Sequence, residues 1–525
     1  MNLDMKTAVV LAGVCALLVT TTANAQSTPA STNIPSDAEI LLNMFQKKGV
    51  ISSEDASQAR EALAANHRAQ GDPDGANSLK FKMSDAIKSM EVYGDLRFRF
   101  ENRGAELGPQ TTHAKDWDYA NRWRYALRLG VRGDLTDDFY YGLRVETGSN
   151  ERSTWNTFGN AGGGQSPYYG PFSKANNYSV FVGLAYLGWR PNSWLDVSIG
   201  RVPQPLFATP MVWDSDYTPE GAVEKVKYTI GPADLFATFG QFVYQDTTPS
   251  SGTQIIAGTV GDAYLMASQV GVNYHINKDV SVKLAPVLYN YLGLGNSSAG
   301  FSGTFVGQGE PNGLQFMTNS TGSSTLPGSQ GAGSSYNQTG INNLFILELP
   351  AEVNFKIASL DAKLFGDFAV NFEGRERAAA AFRAGEAQGA AYAGGPRNPF
   401  PGGAQLSDDK AYQFGLAIGN NLGLAYSSLP KKGTWEARAY WQHVEQYALD
   451  PNLLDSDFFE GRGNMQGLYS AFAYSVSDAV IGTVRYGWAG RINQNLGTGG
   501  YNADLPLPNP VSKYQLVQVD VTWKF

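Results

Sequence analysis

The chain has 525 residues, 42% hydrophobic and 12% aromatic, with a mean hydropathy of -0.27 and a net charge of -8. Past the extreme N-terminus no apolar run approaches the roughly 20 residues that a membrane-crossing helix needs, which excludes a helical membrane bundle. The mild acidity argues against a nucleic-acid partner, and the single cysteine excludes a disulfide framework.

Residues 1–25 read as a secretory signal: Lys6 leads, Ala8 to Val19 is apolar, and Ala23-Asn24-Ala25 precedes Gln26. Cys15 is not a lipidation site, because bulky Val14 stands where a small residue should precede it. Cleavage after Ala25 leaves a mature chain without thiols.

Residues 26–88 change character. Ile40, Leu41, Met44 and Phe45 fall at helical spacing, and Ser52-Ser53-Glu54 starts a second short helix with Ala56, Ala59 and Leu63 on one face. The pair has too few apolar residues for a core of its own. GDPDGANS, from Gly71, reads as a linker; Asp72 and Asp74 begin like a calcium loop, but the remaining ligands are missing and a turn is the simpler reading.

From residue 89 to 525 the period is two. In RWRYALRLGVRGD, Trp123, Tyr125, Leu127, Leu129 and Val131 alternate with Arg122, Arg124, Arg128, Arg132 and Asp134. FILELPAEVNFKI, from Phe345, and DAKLFGDFAVNFEG, from Asp361, repeat the pattern. Such segments exceed the usual 5 to 6 residues of globular strands and match tilted strands that cross a bilayer.

The connections alternate between brief turns and long stretches. The brief ones lie at 135–138, 190–193, 231–234, 277–279, 358–361, 427–433 and 475–478. The long ones lie near 103–121, 149–177, 202–220, 245–262, 292–342, 374–409, 446–463 and 491–511. Strict alternation is the wiring of an up-and-down transmembrane β-barrel, here all-β and antiparallel with about 16 strands, both chain ends falling on the short-turn side. Phe139, Tyr140, Tyr141, Trp189, Trp194, Trp435, Trp523 and Phe525 beside the short turns predict one interfacial girdle. In the last strand Val517, Val519, Val521, Trp523 and Phe525 share one face.

The export signal, the segment LLNMFQKKGVISSEDA and the barrel together resemble the outer-membrane porins of Gram-negative bacteria with sixteen-stranded barrels. The most specific stretch is IGRVPQPLFATPMVWDSDYTPEGA, residues 199–222. The ending Val521-Thr522-Trp523-Lys524-Phe525 is similar to the terminal signature read by the outer-membrane insertion machinery. The resemblance implies a water-filled channel for passive diffusion of small hydrophilic solutes and ions, set in outer-membrane lipid, in a homotrimer and without a cofactor.

Register places Arg97, Arg99, Arg122, Arg124, Arg128, Arg132 and Arg144 toward the lumen of the first strands, with Glu348, Glu352, Asp367 and Glu373 on a facing wall. A transverse field is one reading of this; solvation and pairing along the sheet is the other. A constriction needs an inserted segment, and the stretch 202–220 is the candidate. Its Asp214 and Asp216 are expected to meet Arg122, Arg124, Arg128 and Arg201. RERAAAAFRAGEAQ predicts a short helix exposing Arg375, Arg377 and Arg383.

Catalysis lacks support. The four histidines are His67, His113, His275 and His443, and none has a serine or carboxylate constellation beside it in sequence. A channel selective for anions such as phosphate or for sugars, and a tethering barrel, stand as alternatives.

Overall fold

The computed structural model describes residues 84–107, 116–148, 153–158, 179–246, 262–293, 343–378, 408–426, 428–493 and 511–525. The signal reading, nearly all of the segment 26–88 with His67, His113, Arg383, and the central parts of 292–342 and 374–409 lie outside these residues. Ile87–Phe525 form one compact unit.

Its strand segments in chain order are β1 (Glu91–Leu107), β2 (Trp117–Asp134), β3 (Phe139–Gly148), β4 (Asn156–Thr157), β5 (Ser179–Trp189), β6 (Leu195–Arg201), β7 (Glu220–Ile230), β8 (Ala233–Gln245), β9 (Ala263–Asn277), β10 (Val280–Leu284), β11 (Val287–Gly293), β12 (Phe345–Glu348), β13 (Ala351–Ile357), β14 (Leu360–Asn371), β15 (Lys410–Gly419), β16 (Trp435–Val444), β17 (Met465–Ser475), β18 (Val480–Arg491) and β19 (Val511–Lys524). The two-residue β4 belongs to a long connection, while β10 with β11 and β12 with β13 are halves of single crossings. That leaves 16 antiparallel crossings, and β19 pairs back onto β1 to close the barrel.

The split crossings show what a proline does in a sheet. Pro286 and Pro350 lack the N–H that the ladder requires, so each interrupts its strand. The two breaks sit side by side: β10 pairs β13, β11 pairs β12, and Ala285 N–H donates across to the Pro350 carbonyl at 3.1 Å. The side-chain period survives, so FILELPAEVNFKI keeps its faces although its ladder is broken.

Alternation sorts the faces as lipid outside and water inside require. Val180 is 68% exposed and Ile199 62%, whereas Gln518 and Tyr514 on the inner face are fully buried. At the β2–β3 turn Asp137 and Asp138 both take positive φ, 59° and 63°, a conformation that aspartate tolerates better than most residues. Phe139 stacks on Trp189 in the outward girdle, ring centroids 6.2 Å apart. Tyr140, one step along, points the other way and donates its hydroxyl to Asp196 at 2.5 Å; the period of two removes it from the expected girdle.

The short-turn end has one exception. Ahead of the brief turn expected at 427–433, residues 420–426 fold inward: Ala425 N–H donates to Glu436 at 3.0 Å and the Ala425 carbonyl accepts from Arg485 at 2.9 Å. In the other direction, only 375–378 of the predicted helix after β14 is described. Arg375 is exposed there, but Arg377 is fully buried, contrary to the expectation from its composition.

The seam ends on Phe525, whose N–H donates to the Gly94 carbonyl at 3.1 Å while its own carbonyl accepts from Gly94 N–H at 3.0 Å. Gly94 leaves room for the ring: a Cβ there would meet Phe525 Cζ at 2.7 Å. Deleting Phe525 should lower the yield of folded, heat-modifiable barrel several-fold, measured by electrophoretic mobility shift. An undiminished yield would count against the seam role.

Candidate functional site

The connection between β6 and β7, residues 202–219, turns into the barrel because its apolar side chains find cover there. Met211, Val212 and Trp213 are buried, and the Trp213 ring lies 5.9 Å from Phe242 and 6.3 Å from Tyr289. Four prolines, Pro203, Pro205, Pro210 and Pro219, limit its backbone freedom. Polar anchors fix its path. Phe207 N–H donates to Gln269 on β9 at 2.9 Å, Thr209 N–H to Glu348 on β12 at 3.3 Å, and the Thr209 hydroxyl to Asp367 on β14. At the far end Arg128 of β2 donates to Asp216. Tied to β9, β12 and β14 on one side and to β2 on the other, the segment spans the lumen.

A second connection does the same, and sequence reading missed it. Residues 445–464, between β16 and β17, bury Leu449, Leu454, Phe458 and Phe459, with Phe458 packed 6.0 Å from Tyr440 and 5.3 Å from Tyr469. Tyr244 donates to Asp450 at 2.7 Å, Arg99 to Asp457 at 2.8 Å and Arg103 to Glu460 at 3.0 Å. The two segments then bind one another. Asp214 N–H donates to the Leu453 carbonyl at 2.7 Å, Asp455 N–H to the Pro210 carbonyl at 3.2 Å, and Ser456 gives both its N–H and its hydroxyl to Asp214, at 3.0 and 2.8 Å.

The same tripeptide builds both anchors: Asp214-Ser215-Asp216 and Asp455-Ser456-Asp457. In each, the first aspartate accepts the N–H of the second at 2.9 Å, an Asx turn that sends the two carboxylates in different directions. The second aspartate goes to a wall arginine: Asp216 to Arg128, Asp457 to Arg99. The first stays in the joint between the segments. Their acidities diverge accordingly. Burial pushes Asp214 well up, helped by Asp216 and Asp455, and pushes Asp455 up to about 7, helped by Asp457. Burial also opposes ionisation of Asp216 and Asp457, but the neighbouring arginines outweigh it and hold both carboxyls below their ordinary range. The repeated tripeptide was the available signal for the second segment.

The predicted arginines all carry carboxylate partners. Arg97 meets Asp95 at 2.7 Å, Arg99 meets Asp520 at 2.8 Å, Arg132 meets Glu91 at 2.7 Å and Arg144 meets Glu146 at 2.9 Å. Arg122 binds Glu101, with Arg124 3.6 Å from the same carboxylate. Of the four arginines expected to meet Asp214 and Asp216, only Arg128 does so, through Asp216; Asp214 is occupied by Ser456. Arg201 stays at its strand end with Glu220 at 2.7 Å, Thr218 and the Gly183 carbonyl. On the facing wall Glu348 and Asp367 hold Thr209, Glu352 pairs with Lys363 at 2.8 Å, and Glu373 is exposed. The arginines of the first strands therefore close locally on acids, whereas Glu348 and Asp367 of the facing wall are held by amide and hydroxyl donors. Sequence reading also omitted Arg103, Arg485 and Trp155. The Trp155 ring, carried inward beside β4, lies 4.1 Å from the Arg99 guanidinium, and Arg485 joins Arg99 on Asp520.

A closed 16-strand barrel with a lumen narrowed by inserted segments is the architecture of an outer-membrane channel. The comparisons place the chain: the family described as "Putative porin" matches residues 74–525, and the chain belongs to it. Among curated proteins none matches. Solved structures similar to it include OprB from Pseudomonas putida (13% identity, TM-score 0.41, covering 83% of this chain and 94% of that one). An anion-selective porin from Comamonas acidovorans (10%, 0.37, 83% and 99%) and OmpT from Vibrio cholerae (12%, 0.36, 86% and 100%) are others. The protein is thus an outer-membrane channel.

Two outcomes follow. Asp216→Ala leaves the Arg128 guanidinium without its loop partner, so single-channel conductance or the chloride-to-potassium permeability ratio should change by about twofold; identical values for wild type and variant would remove Asp216 from the narrow zone. The second concerns pH. A docked 445–464 segment keeps Asp455 protonated up to about pH 7, whereas a released one ionises near pH 4. Docking is then strongest in acid and weakens as pH rises from about 4 to 7. Open-channel current noise should grow between pH 5 and 8, and Asp455→Asn should flatten that dependence.

Proposed function

We propose that the protein is a general diffusion porin for small hydrophilic solutes and ions, with a charged constriction where residues 202–219 and 445–464 meet. The observation that carries this reading is the Asp214–Ser456 joint. It links two inserted segments, each tied separately to the wall, so the aqueous path must pass beside them. Arg128, Asp216 and Asp457 then form the polar rim that solutes meet, with buried Arg99 holding Asp457 from behind. Paired charges in such a rim orient dipolar solutes and oppose apolar ones, with little net selectivity.

A homotrimer, delivered by the signal peptide and inserted through the terminal Trp523 and Phe525, belongs to the same reading. Trimer formation is supported by an outward-facing acid. Glu224 shares the outer register of β7 with Val226 and Tyr228 and accepts from Gln241 at 3.2 Å. A carboxylate on a lipid-facing wall is better placed against another protein surface.

Reconstitution of purified protein in planar bilayers tests the function. Stepwise, ohmic conductance that grows with salt is expected. Silence from correctly folded protein would favour a tethering barrel instead.

A further inference from the structure

Below the inserted segment the wall changes character. A cavity of about 560 Å³ opens between residues 205–207 and the short turn at 190–194, within the usual size range of a small-molecule site. Four cations and one carboxylate line it: Arg190, Lys225, Lys227, Lys283 and Asp196. Asp196 is already committed to Tyr140 at 2.5 Å and Arg190 at 2.9 Å. Lys225, Lys227 and Lys283 have no carboxylate within ion-pair distance among the described residues, in contrast to the arginines of the first strands. Glu352, directly across from Lys283 in the sheet, gives its carboxylate to Lys363.

The apolar part of the lining is equally specific. The Lys283 ammonium sits 3.6 Å from the centre of the Phe207 ring and 5.3 Å from that of Phe236. Phe207 belongs to the inserted segment. Lys225 faces the hydroxyl-bearing Thr238 across the β7–β8 ladder. Unneutralised ammonium groups, a hydroxyl and two phenyl rings around one cavity suit a ligand that is anionic at one end and compact and apolar at the other.

We propose that this lower vestibule is a binding site for small organic oxyanions, carboxylates or phosphates, with Lys225 and Lys283 as the anion contacts and Phe207 and Phe236 as the wall for the organic body. The proposal rests on the porin reading only for its consequence in transport: an anion held here would pause beneath the constriction.

Two measurements on the full-length mature protein separate the claims. Titration calorimetry of detergent-folded protein with sodium benzoate and with inorganic phosphate tests the site without requiring conduction. Saturable binding is expected, and Lys225→Gln and Lys283→Gln should each weaken it about tenfold, the loss of one charge-assisted contact. Lys283→Arg should retain most of it. Lys513→Gln, at the opposite end of the barrel on Glu106, should leave it unchanged. Tighter binding of benzoate than of phosphate assigns a share to the rings; equal binding assigns the site to the lysines alone. In planar bilayers, benzoate added from the short-turn side should reduce current at lower concentration than from the loop side. Folded protein that binds neither anion, or binding weakened as much by Lys513→Gln as by Lys283→Gln, overturns the proposal. Binding without conduction would overturn the pore reading and leave the site standing.

Discussion

Inside a bilayer every backbone N–H and C=O must find its partner within the protein, and here the return of β19 onto β1 meets that demand. The rest of the lumen is built on that seam. Arg99 stands on β1 and Asp520 on β19, joined by bonds of 2.8 and 3.0 Å, and Arg485 reaches the same aspartate from β18. Arg99 also holds Asp457 of the second inserted segment, and Gln518 of β19 donates to Asp457 at 3.0 Å. Closing the sheet therefore assembles the socket into which that segment docks.

Buried ions are costly to desolvate, so they persist where several opposite charges meet and their remaining hydrogen-bonding positions are used. The first strands satisfy this with a continuous network of Arg99, Arg103, Glu101, Asp457 and Glu460. The opposite wall holds its acids differently: Glu348 and Asp367 accept from Tyr289 and Thr209 instead of from cations. The vestibule between Lys225 and Lys283 follows neither pattern. Lys225, Lys227 and Lys283 in its lining have no carboxylate partner among the described residues, which is why it stands out as a place for a mobile anion rather than as another structural ion pair.

Much of the barrel was legible because its cause is local. A strand between lipid and water must alternate, and the registers of β2, β14 and β19 stand as the side-chain pattern predicts. Short and long connections alternate because the chain crosses and returns. The inward path of 202–219 was also expected, from its prolines and from acids able to face the arginines of the first strands. What escaped were features set by partners elsewhere. The second segment looked like an ordinary loop because its socket, Arg99 and Arg103, lies 358 and 357 residues away in sequence from Asp457 and Glu460. Arg201 looked like a lumen residue until Glu220 and Thr218 claimed it at the strand end. The inward fold of 420–426 depends on Glu436 and Arg485, which no local pattern links.

By itself, then, the sequence determined the strand faces, the wiring and the aromatic levels, because each follows from the two-residue period and from hydropathy along one stretch of chain. Tertiary structure alone decided which connections enter the lumen, which acid meets which arginine and which lysines are left over. Those outcomes are competitions among side chains brought together only when the sheet closes, and the closest geometry wins.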